Sequence, residues 1–211
     1  MPVPNLMLPD PRGRRIGLFG GSFNPAHEGH AALAREALRR LALDQVWWMV
    51  SPQNPLKDPR DTGDFAERFQ AAKAIARHPR MLVLDIETRL DSRTTAQTFR
   101  KLAPLFRRGR FVWIMGADSF AGLDRWNDWR VIPSTLPLAV FARPEFCQKA
   151  LASPAARMLG RYRIPEGECR RLPDLLPPAW AFLRMRLRRE SSSAIRHRNG
   201  HAPAGDSTGS D

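Results

Sequence analysis

The chain has 211 residues, 43% of them apolar, and carries 34 Lys and Arg against 21 Asp and Glu, a net charge of +13. A chain of this size buries a core without disulfides or a structural metal, and its mixed composition excludes fibrous and intrinsically disordered classes. The positive balance favours anionic partners such as nucleotides, nucleic acid or acidic surfaces, without choosing among them.

Prolines at positions 2, 4, 9 and 11 interrupt the N-terminal region, where no apolar core follows a basic start, so a secretory signal is not expected. No apolar run reaches the ~18 residues needed to span a bilayer. Cys147 and Cys169 lack metal-type spacing and are too few for a disulfide framework, which suits a reducing compartment and a cytoplasmic location. One folded domain is expected over 15–198, after a flexible segment 1–14 and before a disordered tail 199–211 without apolar periodicity.

Short, nearly continuous apolar runs at 16–20, 46–50, 81–86, 111–115 and 137–142 suit strands buried on both faces of a parallel sheet. Helical spacing over 30–41, 65–77 and 95–106 separates them; in the first, Ala34, Ala37, Leu38 and Leu41 share a face. This alternation predicts right-handed crossovers and an α/β fold with a doubly wound, mostly parallel sheet. Beyond residue 142 prolines punctuate the pattern; Trp180–Met185 suits a last strand and Ser191–Arg198 a short helix opened by a serine cap.

In such a fold ligands bind beyond the carboxyl ends of the strands. The loops Gly21–His27, Ser51–Lys57 and Gly116–Asp118 should therefore be neighbours. The first of them lies in Gly20-Gly21-Ser22-Phe23-Asn24-Pro25-Ala26-His27-Glu28-Gly29-His30, which is neither a P-loop nor a G-x-G-x-x-G fingerprint. Its glycines admit a ligand close to the backbone, and the helix that follows offers N–H groups and a positive dipole end to an anion. His27 and His30, three residues apart, can point at the same phosphates. Zinc would need a third ligand, which neither Glu28 nor Gly29 supplies on that face. Far along the chain, Ser191-Ser192-Ser193-Ala194-Ile195-Arg196 puts hydroxyls, N–H groups and an arginine at a second helix start. Alone, such a segment is an ordinary solvated cap; paired with the histidines, it is a second phosphate grip.

Gly20–His30 resembles the G-G-[ST]-F-[DN]-P-x-H-x-G-H segment, and Ser191–Arg196 the S-S-T-x-[IL]-R segment, of the nucleotidyltransferase superfamily with the H-x-G-H signature, whose fold is Rossmann-like. Within it, Ile114-Met115-Gly116-Ala117-Asp118 with Trp126 and Trp129 is most similar to the nicotinate-nucleotide adenylyltransferase family. The resemblance implies transfer of the adenylyl group of ATP to nicotinate mononucleotide, with Mg2+ bridging the phosphates. It implies that His27, His30 and Arg196 act on the triphosphate, that Gly21, Ser22, Phe23, Gly116, Asp118, Ser192 and Ser193 bind ATP, and that Lys57, Thr95 and Trp126 meet the acceptor; Trp129 suits the core better. Two positions depart from the family pattern: Thr94 stands where Tyr is usual, and Asp124 where many relatives carry His.

The phosphate motifs alone leave other acceptors open, namely nicotinamide mononucleotide, phosphopantetheine or a cytidylyl-transfer partner. A basic nucleic-acid-binding module is a weaker alternative. Its arginines run from Arg184 to Arg198, yet no Phe, Trp or Tyr occurs from Leu183 onward to supply stacking platforms.

Overall fold

The computed structural model describes residues 8–52, 63–142 and 144–185. Lys57, the Ser191–Arg198 segment with Ser192, Ser193 and Arg196, and the tail 199–211 lie outside the described residues.

A seven-stranded sheet in the order β3-β2-β1-β4-β5-β7-β6 forms the centre of the fold, and every strand pair in it is parallel. Its strands are β1 (Arg15–Gly21), β2 (Gln45–Val50), β3 (Met81–Leu84), β4 (Arg110–Gly116), β5 (Leu138–Phe141), β6 (Arg163–Ile164) and β7 (Trp180–Leu183). The apolar runs form strands because both their faces are covered, and successive side chains enter different layers. Leu18, Trp47, Met49 and Trp113 pack on one side, and Phe19, Val46, Trp48 and Ile114 on the other. The expected α/β class with a doubly wound parallel sheet is what the chain adopts.

The crossover helices are α1 (Glu28–Arg40), α2 (Phe65–Ile75), α3 (Ile86–Arg89) and α4 (Thr95–Phe106), followed by the short α5 (Ala117–Ala121), α6 (Val131–Thr135), α7 (Cys147–Leu151) and α8 (Pro154–Met158). The third expected strand is shorter than 81–86, because Ile86 is drawn into α3 and fully buried there. The proline-rich region after 142 holds α7, α8, a 3-10 helix over Glu166–Asp174 and the edge strand β6, none of which carries a long apolar pattern. The last strand stops at Leu183, two residues short of the expected end. The lead-in 1–14, expected to be flexible, is described from Leu8, which packs on the core; Asp10 pairs with Arg108 at 3.1 Å and Pro11 is buried.

The strand order decides where a ligand can enter. From β1 the chain builds outward through β2 and β3, then returns to place β4 on the other side of β1. The connections leaving β1 and β4 therefore diverge to opposite faces, and a crevice opens at this switch point beyond their carboxyl ends.

Candidate active site

Both loops flanking the switch point carry residues singled out from the sequence. At the end of β1, Gly20 is required by packing, since a Cβ there would sit 2.2 Å from Cη2 of the buried Trp113. Phe23 then turns the chain with φ at 45°, a conformation costing a bulky residue about 1–3 kcal/mol. Ring burial offsets that cost: Phe23 stacks on Trp48 with centroids 5.1 Å apart and meets Phe19 edge-on at 5.4 Å. The loop is thus held by an aromatic anchor, and an Asn24–Pro25 cis peptide follows it.

The two histidines start α1 in a way their spacing alone does not reveal. His27 lies outside the helix as its N-cap, where its Nδ1 accepts from the Gly29 N–H at 3.1 Å, while the His27 N–H donates to Nδ1 of His30 at 3.2 Å. This reciprocal box is normally made by Ser or Thr with Glu or Gln. With both Nδ1 atoms accepting, each neutral ring carries its proton on Nε2, as a donor. The rings lie 3.8 Å apart between centroids, His27 only 4% exposed and His30 half-buried against the edge of Phe23. Two imidazole donors and a positive helix end at one point form an arrangement suited to phosphate oxygens.

Across the crevice, Gly116 ends β4 as the N-cap of α5, and Asp118 stands half-buried in the first turn. The register Phe19↔Ile114 sets this end beside the histidine loop. Gly21, Ser22, Phe23, His27, His30, Gly116 and Asp118 therefore occupy the same edge of the sheet.

A cleft of about 740 Å³ opens between the end of β2 and the first turns of α3 and α4. Thr94, the N-cap of α4, lines it together with Pro52, Glu87, Ser92, Arg93 and Asn127. Thr95, expected to meet the acceptor, is the half-buried first residue of α4, and its neighbour Thr94 is the one on the cleft wall. Trp126 is half-buried against the core just before Asn127, and Trp129, at 9% exposure, belongs to the core as expected. Asp124 sits in the 3-10 turn Leu123–Arg125.

Three buried polar groups here escaped the sequence reading. Glu87 is 5% exposed, and burial pushes its carboxyl above the ordinary range, against hydrogen bonds with Ser51 and Thr98 that favour the charged form. Ser92 is buried in the cleft wall. Arg68 of α2, 3% exposed, donates to the carbonyls of Ser22, Ser51, Pro52 and Gly63. An arginine inside a helical pattern reads as a solvent-facing residue, and no local signal marks it otherwise.

Among the described residues no three His, Cys, Asp or Glu side chains converge as a metal cage, and no helix is long and apolar enough to cross a membrane. The arginines beyond Arg184 on which a nucleic-acid surface would rest lie outside the described residues.

A family model described as cytidylyltransferase-like matches residues 18–198. A relative from Roseobacter denitrificans is 50% identical over 188 residues, covering 89% of this chain and 94% of its own, and another from Caulobacter sp. (strain K31) is 49% identical over 184 residues, covering 87% and 97%. Both are named "Probable nicotinate-nucleotide adenylyltransferase". Among solved structures, a Plasmodium falciparum nicotinic acid mononucleotide adenylyltransferase complexed with NaAD superposes with a TM-score of 0.65 at 15% identity, covering 87% of this chain and 83% of that one, which supports the fold. The chain belongs to the cytidylyltransferase-like family and, within it, to the nicotinate-nucleotide adenylyltransferases.

Proposed function

We infer that this chain transfers the adenylyl group of ATP to nicotinate mononucleotide, giving nicotinate adenine dinucleotide and pyrophosphate, a step of NAD biosynthesis. Family membership supports the reaction, and the observation that carries its chemistry is the His27–His30 pair at the start of α1, with both Nδ1 atoms engaged in the cap. The attacking phosphomonoester has a second pKa of about 6 and is already largely dianionic at neutral pH, so no general base is required. What the protein must supply is alignment of two anions and stabilisation of charge passing to the leaving pyrophosphate.

In this reading the Nε2–H groups of His27 and His30 donate to the triphosphate, and the Gly21–Phe23 turn lets it approach the backbone. Gly116 and Asp118 hold the nucleotide from the β4 side. Ser192, Ser193 and Arg196 close the clamp. β7 runs parallel to β1 and ends at Leu183, level with Phe141 beside Gly116, so the chain leaves the sheet at the edge where the clamp is needed. The 740 Å³ cleft lined by Thr94 and Asn127 takes the pyridine mononucleotide, and Thr95, Trp126 and Lys57 have the acceptor roles that the family resemblance implies. Mg2+ would neutralise charge on the phosphates, taking its ligands from them and from water, a donor set that needs no protein cage. A cytoplasmic location fits a sequence whose two cysteines are too few for a disulfide framework.

ATP labelled at the α-phosphorus tests the reaction. The label should pass into the dinucleotide, with one pyrophosphate released per dinucleotide. Label recovered only in AMP or ADP, or incorporation only when CTP replaces ATP, would overturn it.

A further inference from the structure

Among the described residues the Arg68 guanidinium makes four hydrogen bonds, all to backbone carbonyls, and they join three separate segments of chain. Its Nη1 donates to the Ser22 carbonyl at 2.6 Å and the Ser51 carbonyl at 2.8 Å, Nη2 to Pro52 at 2.7 Å and Nε to Gly63 at 2.8 Å. Ser22 belongs to the turn after β1 and Pro52 to the cleft wall after β2, while Pro52 and Gly63 flank the segment carrying Lys57. A neighbouring hydrogen bond joins two of the same segments: the Ser51 N–H donates to the Gly21 carbonyl at 3.0 Å.

Burial this deep is costly for a guanidinium and pushes its pKa below the ordinary value, with Asp64 opposing. The four carbonyls offset that cost by satisfying its donors. A core hydrophobe would fill the same space without desolvating a charge. What the arginine adds is a planar fork that fixes several peptide groups at once. Because C=O and N–H of a trans peptide point in opposite directions, drawing the Ser22 carbonyl inward turns the Phe23 N–H to the other side of the loop.

We propose that Arg68 is a positioning residue for adenylyl transfer: it sets the distance and orientation between the phosphate turn at Ser22–Phe23 and the acceptor cleft at Ser51–Pro52, so that the two bound anions meet in line. The proposal rests on the adenylyl-transfer reading above. Such a residue acts on the alignment of bound substrates more than on their affinity. Its loss therefore lowers kcat and leaves both Michaelis constants nearly unchanged. Lysine offers three donors in tetrahedral array and cannot span four carbonyls on three segments.

The test uses the full-length protein as wild type, Arg68→Lys and Arg68→Ala, with thermal melts to measure the folded fraction. For Arg68→Lys, kcat should fall about 100-fold, the effect of misplacing reactants by about 1 Å, with KM for ATP and for nicotinate mononucleotide changing less than about threefold. In Arg68→Ala, guanidinium or methylguanidinium at sub-denaturing concentration should restore kcat by about tenfold at an unchanged melting temperature. A folded Arg68→Lys with kcat near that of wild type overturns the proposal. So does an Arg68→Ala whose activity follows its folded fraction and ignores added guanidinium. Absence of dinucleotide formation by the wild-type protein would instead overturn the adenylyl-transfer reading.

Discussion

His27 has two separable duties in this account, and a pair of substitutions pulls them apart. Its Nδ1 caps α1, and its Nε2–H is assigned to the triphosphate. In His27→Asn the amide oxygen takes the place of Nδ1, and Asn is among the strongest N-caps, so the cap survives while the Nε2 donor is lost. In His27→Ala both are lost. Removing one pre-aimed donor from a developing anion costs about 10²–10³ in kcat, so both variants should show that loss. The alanine should lose more stability than the asparagine, because a missing cap costs about 1 kcal/mol. For a chain of this size that lowers the melting temperature by about 2–4 °C. The buried ring, 4% exposed, adds a cavity to the alanine penalty. Steady-state pyrophosphate release and thermal melts on the same preparations supply both quantities. Wild-type turnover in His27→Asn would refute the phosphate role, and parallel losses of turnover and melting temperature would reduce His27 to a cap.

Other expectations follow from the same geometry. Gly20→Ala drives a methyl to 2.2 Å from Trp113 and should destabilise the fold by about 1–3 kcal/mol in urea titration; an unchanged midpoint would contradict the close packing. For Glu87, burial raises the folded pKa above the ordinary 4.5, so the stability it confers is present below about pH 4.5 and is lost as pH rises through the folded value. The melting temperature of wild type relative to Glu87→Gln should therefore fall as pH rises from about 4.5, whereas a constant difference would mean that the buried carboxyl does not titrate abnormally. Trp126→Ala should raise KM for the acceptor more than KM for ATP, and equal effects would argue against a place for this ring at the acceptor.

Much of this fold is legible because parallel strands buried on both faces leave unbroken apolar runs, as in Val46–Val50 and Phe111–Met115. The site edge follows from topology, since a loop after β1 and a loop after β4 must flank the switch point. Other features resist a local reading. His27 is an unusual N-cap, so the true start of α1 is hidden, and with it the reason the two rings meet. Arg68 and Glu87 look like solvated helix residues until the loops fold over them, because what buries them comes from chain far away in sequence. Beyond residue 142 the elements are short and proline-bounded, and β6 has only two residues, too few for any period to show.

The most direct test of the central claim is kcat/KM for a panel of phosphate acceptors with ATP as donor: nicotinate mononucleotide, nicotinamide mononucleotide and phosphopantetheine, with CTP substituted in a parallel series. Nicotinate mononucleotide with ATP should give the highest value in the panel. A higher value for any other pair, or no turnover with nicotinate mononucleotide, would contradict the account.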